Sequence, residues 1–202
     1  MKAISTKLLY SGMLNRYIPL SELGVLKNGY AFKSSSYSGN GNYNVLTIAN
    51  VTGNRFVSID CNHIEEIPSD IQKHQILKEN DILISLTGNV GRVSLNKGAF
   101  NLLNQRVGLF ELYDNSLQEY IYQVLSTPQF ENAMKNKGQG AAQMNIGKTD
   151  IEEFNIPYAE NNEILMHIAK VLSLLDYRIQ NAECTLQQLY SQKQYLLQQM
   201  FI

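Results

Sequence analysis

The sequence predicts an α+β fold: a compact, β-rich domain over residues 1–158, followed by a long C-terminal coiled-coil helix over residues 159–202. Three observations carry this. Short apolar runs separated by Gly, Asn and Ser clusters fill the chain up to Leu112, the pattern of strands and turns. Helical spacing replaces it from Leu117 onward. From Asn161 to Met200 no Gly or Pro interrupts a run rich in Leu and Gln, both good helix formers.

The elements follow in order. Tyr17–Leu20 reads as a short strand leading to Ser21–Gly24, and Val25–Gly41 as a loop rich in Gly, Ser, Asn and Tyr. Asn44–Val51 and Arg55–Ile59 read as strands joined by the turn Thr52-Gly53-Asn54. Asp81–Leu86 is a strongly apolar strand, Thr87–Gly91 a glycine turn, and Arg92–Leu95 and Val107–Leu112 the next strands. Leu117–Leu125 has helical spacing. Thr127-Pro128 has the form of an N-cap with proline at the first helical position, opening a helix to about Asn136. Lys137–Gly147 is small and polar, Thr149-Asp150-Ile151-Glu152 opens a helical turn, and Phe154–Pro157 is extended. Strands come first, short helices next and the rod last.

The rod carries an apolar seam: Ile164, Ile168, Val171, Leu175, Ile179, Ala182, Leu186, Leu189, Lys193, Leu196 and Met200, stepping by three and four. Leu175 to Ile179 is a second four-step in succession, a stutter that unwinds a supercoil locally without moving the seam off its partner. Lys193 is the charge in the seam, of the kind that fixes register rather than adding stability. At about 1.5 Å per residue the rod is about 60 Å long. A bare apolar stripe of that length is an aggregation hazard, so the seam is expected to dock on a partner. The competing reading is a helix folded back on its own domain.

Composition bounds the rest. With 44% apolar and 17% charged residues the chain is ordinary for a globular protein. No apolar stretch is long enough for a bilayer, and Lys2 and Lys7 precede no signal-like segment. Cys61 and Cys184 read as free thiols without metal-ligand spacing. A cytoplasmic protein without cofactor or metal is expected. The net charge of −1 does not announce a nucleic-acid binder, but the cations are unevenly placed. Residues 1–58 hold Lys2, Lys7, Arg16, Lys27, Lys33 and Arg55 against Glu22, and residues 60–81 are acidic. Residues 87–148 hold Arg92, Lys97, Arg106, Lys135, Lys137 and Lys148 against four acids, Glu111, Asp114, Glu119 and Glu131. A fold that gathers the two basic groups has a positive face despite a neutral total.

Catalytic patterns are missing. The chain has no phosphate loop, dinucleotide turn or nucleophile elbow, and His63, His74 and His167 lack ligand or triad spacing. A non-catalytic protein is expected. Three polar segments stand out instead. Thr87-Gly88-Asn89-Val90-Gly91-Arg92-Val93 permits a tight reversal, with Arg92 placed to reach a phosphate or guanine edge. Leu103-Asn104-Gln105-Arg106 offers amides that pair with adenine and a guanidinium that pairs with guanine. The glycine-rich run from Gly138 to Lys148 offers Gln143, Asn145 and Lys148 as contacts. Each segment is equally readable as a plain surface turn.

Their order is more telling, and here the chain resembles the specificity (S) subunit of type I restriction–modification systems. The family's target recognition domain opens with a leucine–glycine segment, matched by Leu20-Ser21-Glu22-Leu23-Gly24. Its "gD-I-L" strand and "T-G-x-x-G-R-V" turn are matched by Asn80-Asp81-Ile82-Leu83 and Thr87 to Val93, and its "N-Q" segment by Asn104-Gln105. "Q-x-N-I" with a following Lys is matched by Gln143-Met144-Asn145-Ile146 and Lys148, and the "I-A-x-x-L-x-x-x-D-x-x-I" helix by Ile168-Ala169, Leu172, Asp176 and Ile179. Two features depart from the pattern. The proline-rich hinge before the helix is reduced to Pro157-Tyr158-Ala159-Glu160. The family carries two recognition domains and two helices, whereas this chain has one of each and so resembles a half-length form.

The resemblance implies a non-catalytic module that reads one half of a split double-stranded DNA target. Its helix would act as spacer and homodimer element, docking methyltransferase subunits and, through them, the restriction subunit. It places Lys27, Lys33, Arg55, Thr87, Asn89, Arg92, Asn104, Gln105, Arg106, Gln143, Asn145 and Lys148 at or near DNA. Residues in Val25–Tyr43 are equally good candidates for the variable reading surface. Other readings are a coiled-coil adaptor whose head binds protein rather than DNA, and an enzyme with an unfamiliar site.

Overall fold

The computed structural model describes residues 2–10, 14, 16–58, 60–138 and 144–200. Its centre is a four-stranded sheet in the order β2-β8-β5-β6, formed by Gly24–Asn28, Val107–Leu112, Ile82–Ser85 and Val93–Leu95. A second sheet, β4-β3-β7, comprises Asn62–Ile64, Tyr43–Leu46 and Asn101–Leu103, with β3 and β7 parallel. A two-stranded ribbon pairs β1 (Arg16–Pro19) with β9 (Asn155–Tyr158). Helices α1 (Lys2–Leu9), α2 (Gln118–Leu125), α3 (Pro128–Lys137) and α4 (Lys148–Glu152) surround the central sheet, and α5 runs from Asn162 to Met200. The expected order of strands, short helices and rod is the observed one.

The sheet strands show why the apolar runs were readable. Ile82, Leu83, Ile84 and Ser85 are all buried, as expected for a strand covered on both faces. Ile82 and Ile84 join the main core with Phe110, Tyr120, Phe130 and Leu172, while Leu83 and Leu109 join a second cluster with Leu46, Val51 and Leu103.

Several expectations are corrected. Val25–Gly41 is not all loop: β2 occupies its start and pairs with β8, Val25 opposite Glu111 and Lys27 opposite Leu109. Gly24 opens that strand because a Cβ there would lie 2.5 Å from the Glu111 carbonyl oxygen. Asn44–Val51 is a strand only to Leu46. Asn50 then captures the chain: its Oδ1 accepts from Thr47 N at 2.9 Å, and its Nδ2 donates to the carbonyls of Ser58 at 3.2 Å and Asp60 at 2.8 Å. A buried asparagine that satisfies the backbone in this way competes with the strand ladder. Arg55–Ser58 likewise forms only a single bridge, Phe56 with Leu95, rather than a strand, and Ile59 lies outside the described residues. Thr127 holds the N-cap position before Pro128, but its hydroxyl donates back to Val124 O at 2.6 Å instead of capping the helix. Helix α1 and strands β4 and β7 had no sequence reading.

The rod is neither wholly free nor wholly folded back. Leu165, Ile168, Ala169 and Leu172 are buried in the main core, Leu175 packs against it, and Asp176 is buried beside it. The seam phase is therefore corrected at its start. Ile164 and Val171 are 46% and 51% exposed, and Leu165 and Leu172 take the buried face. A helix lying on a globular domain buries a broader stripe than a two-helix seam does, and that stripe is centred one residue further on. Ile179 is half-buried. From Gln180 to Met200 every residue is exposed, a bare length of about 30 Å.

Candidate nucleic-acid interface

The Thr87–Val93 turn is stapled by Ser85. The Ser85 hydroxyl donates to Asn89 O, its N–H donates to Arg92 O at 2.9 Å, and its carbonyl accepts from Gly91 N at 3.0 Å. Gly91 has φ 75°, and a Cβ there would lie 2.7 Å from Met134 Cβ, so the turn is pressed onto α3. The staple leaves Gly88 and Asn89 exposed at the end of the sheet.

Backbone hydrogen bonds bring the other two segments to this turn. Leu86 donates to Arg106 O at 3.0 Å and accepts from Ile146 N at 3.0 Å, while Gly88 N donates to Met144 O at 3.0 Å. Thr87 bridges Asn145. On the far side Gln105 N donates to Tyr30 O at 2.9 Å, and Asn104 N donates to Leu46 O at 3.1 Å. Segments distant in sequence thus share one tip. It presents Asn89, Gln105, Arg106 and Asn145 as exposed side chains, with Lys148 exposed at the start of α4 and Lys33 exposed beyond Tyr30.

The remaining candidates fall elsewhere or turn inward. Asn104 is 8% exposed, and its Oδ1 accepts from Arg106 N at 3.2 Å. It shapes the turn that presents Gln105 and Arg106, so direct base reading by Asn104 is withdrawn. Thr87 Oγ1 is buried and, among the described residues, has no hydrogen-bond partner. Arg92 is half-buried and lines a small recess with Gly53, Leu125, Ser126 and Glu131, beside rather than on the tip. Lys27 lies 3.7 Å from Glu111 and lines a groove of about 640 Å³ shared with Lys73, His74, Lys78 and Asp81, away from the gathered segments. Gln143 lies outside the described residues.

Arg55 is the clearest correction. Its guanidinium donates to both Glu119 oxygens at 2.8 and 2.6 Å and to Asp176 Oδ2 at 3.3 Å, between the rings of Phe56 and Tyr122. Burial alone would lower its pKa, but the hydrogen bonds and charge of Glu119 more than compensate and hold it above the ordinary value. A cation committed to two carboxylates is not offered to a phosphate. Burial also raises the Asp176 pKa, with Gln123 and Arg55 pulling against it, and burial pushes the Tyr122 phenol up to about 12. The general expectation of a positive face is narrowed accordingly. Lys27, Arg55, Lys135 and Lys137 have acidic partners, whereas Lys33, Arg92 and Arg106 have no ion pair among the described residues. Lys148 lies 3.6 Å from the part-buried Glu152, whose Oε1 also accepts from Leu26 N; with 52% of its side chain exposed, the lysine still faces solvent.

Two further residues stand at the tip: Tyr30, which the sequence offered only as part of Val25–Tyr43, and Ile48, which it did not offer. Tyr30 abuts Gln105 through the backbone, and its hydroxyl donates to Asp70 Oδ1 at 2.8 Å. Ile48 lies 3.5 Å from where a Cβ on Gly88 would sit. The density of Tyr, Ser and Asn in Val25–Tyr43 was the available signal for the first; the Asn50-closed turn left none for the second.

Residues 16–190 match the family model described as the type I restriction modification DNA specificity domain. The chain belongs to that family. No curated protein matches it in sequence. Among solved structures, the specificity domain is similar to the type I restriction–modification S subunit from M. genitalium, with TM-score 0.59 and 20% identity over 82% of this chain and 40% of that one. It is also similar to the HsdS subunit from Thermoanaerobacter tengcongensis, with TM-score 0.60 and 14% identity over 90% of this chain and 46% of that one. A third similar structure is the type IIG restriction endonuclease BpuSI, with TM-score 0.55 and 9% identity over 84% of this chain and 28% of that one. At these identities the likeness is one of fold. The specificity domain spans less than half the length of each of these three. Among the described residues, no helix is long and apolar enough to cross a membrane.

Proposed function

We propose that this specificity domain is a non-catalytic DNA reader that recognises one short half of a split double-stranded target, and that the bare half of α5 pairs with a second copy to set the distance to the other half. The observation that carries the reading is the convergence of three polar segments on one tip. Asn89, Gln105, Arg106 and Asn145 serve as base readers there, since amide and guanidinium groups match the edges of adenine and guanine. Lys33, Lys148 and Arg92 contact phosphates on the flanks, as lysine and arginine do in positioning a reader on the duplex. The seam from Ala182 through Leu186, Leu189, Lys193 and Leu196 to Met200 forms the pairing surface. A two-fold dimer reads a two-fold target. Methyltransferase subunits dock on the assembly, bring the restriction subunit with them and supply the chemistry.

The test is co-expression with the methyltransferase subunit, followed by sequencing of the methylated sites. A palindrome split by a fixed spacer is expected. An unsplit or asymmetric site would overturn the homodimer, and methylation without sequence preference would overturn the reading role in favour of a protein-binding adaptor.

A further inference from the structure

Arg55 joins three parts of the molecule through directional polar contacts. It stands in the segment that leaves the Thr47–Asn50 turn beside the tip, and its backbone is fixed by Leu95 N donating to Arg55 O at 2.7 Å. Its guanidinium reaches Glu119 at the start of α2 and Asp176 on α5. Gln123 closes the network, donating to Glu119 Oε1 at 2.9 Å and Asp176 Oδ2 at 2.6 Å. The Arg55 and Asp176 side chains are only 16% and 9% exposed, so salt screens the pair little. The apolar stripe from Leu165 to Leu175 also holds α5 to the head, but apolar burial is non-directional and tolerates a helix rolling or sliding on its bed. A planar guanidinium that holds Glu119 through Nη1 and Nη2 and Asp176 through Nη1 does not. The ion-pair network is therefore the directional element at the joint between tip and rod.

We infer that the Arg55–Glu119–Asp176 clasp sets the angle of the reading head on the rod, making Arg55 a positioning residue that determines which spacer length between half-sites is accepted. The inference rests on the DNA-reading role proposed above. One added base pair moves a half-site by about 3.4 Å along the duplex. A head fixed on its rod rejects such a displacement; a head free to rock accommodates it.

The experiment uses the full chain assembled with its methyltransferase subunit. Binding is measured to duplexes carrying the methylated half-sites at graded spacers, and to a duplex with a single half-site. The wild-type complex should lose about tenfold or more in affinity when the spacer changes by one base pair, a penalty of the size of a mismatched pair. Arg55→Met should flatten that loss to about threefold or less while single half-site affinity stays within about twofold, because the base readers are untouched. Arg55→Lys, which keeps the charge but not the fork, should fall between. If Arg55→Met does not fold, Arg55→Lys and Asp176→Asn make the same comparison. A folded variant with the wild-type spacer profile would overturn the inference, as would loss of single half-site binding in step with loss of spacer preference. Failure of the wild-type complex to bind a single half-site would instead strike the reading role itself.

Discussion

The two halves of α5 carry one sequence pattern and meet different surroundings. Before Ile179 the stripe is built from Leu165, Ile168, Leu172 and Leu175 and is covered by the head. Beyond it Leu186, Leu189, Leu196 and Met200 continue the same three-four spacing, yet are 53%, 56%, 53% and 74% exposed. Tyr190 and Leu197 widen the bare face, at 60% and 43% exposed. Apolar periodicity states that a helical face is to be covered, but not by what. The polar residues make the distinction. Asp176 and Arg55 mark the end of the segment tied to the head, and no residue from Gln180 to Met200 is buried.

The contrast can be broken by paired truncations. Leu172→Ala should cost about 3 kcal/mol of unfolding free energy, because the site is 1% exposed inside the main core. Leu189→Ala should leave the unfolding of a diluted chain nearly unchanged and weaken self-association instead. Chemical denaturation across a concentration series separates the two, and equal effects from both would erase the distinction between the halves.

Arg55→Met should cost about 2 to 3 kcal/mol at neutral pH, since it leaves two part-buried carboxylates facing each other. The pH dependence has a definite sign. Asp176 has a raised pKa in the folded chain, so its contribution to stability is fully present below the ordinary aspartate value of 3.8 and is lost as pH rises through the raised one. Removing the Arg55 charge raises it further. The deficit of Arg55→Met relative to wild type should therefore open as pH rises through the carboxylate range and shrink below it, as read from denaturation midpoints at graded pH.

Smaller effects sharpen the tip against its flanks. Arg106→Ala should change sequence preference at one position by about 1–3 kcal/mol, measured by binding to single-substitution DNA targets. Lys33→Ala should weaken all targets alike and lower the salt slope by about one. A uniform loss for Arg106→Ala would move it from base reader to phosphate contact.

The elements legible in the sequence are those whose local pattern and tertiary role agree. Val107–Leu112 was readable to the residue because most of its side chains are buried and its partners flank it on both sides. The rod was readable because nothing in it opposes helix. Strand β2 was hidden because Gly24 and the polar residues after Asn28 imitate a loop, and only pairing with β8 makes the segment a strand. Among site residues, Gln105, Arg106, Asn89 and Asn145 were legible as polar groups in turns. The fate of Asn104 and Arg55 was not, because a buried amide and an exposed one, or a clasped arginine and a free one, have the same letter. The partners of Arg55 lie far away in sequence, and it meets Glu119 and Asp176 only through the fold.

The most direct test of the division between a head-bound and a partner-bound stretch of one helix is the solution mass of the chain by sedimentation equilibrium. A concentration-dependent mass reaching twice the 22.9 kDa of a single chain is expected, and it should return to the single-chain value on Leu189→Glu with Leu196→Glu. A wild-type mass of 22.9 kDa at every concentration, with the distal stripe still open to solvent, would contradict it.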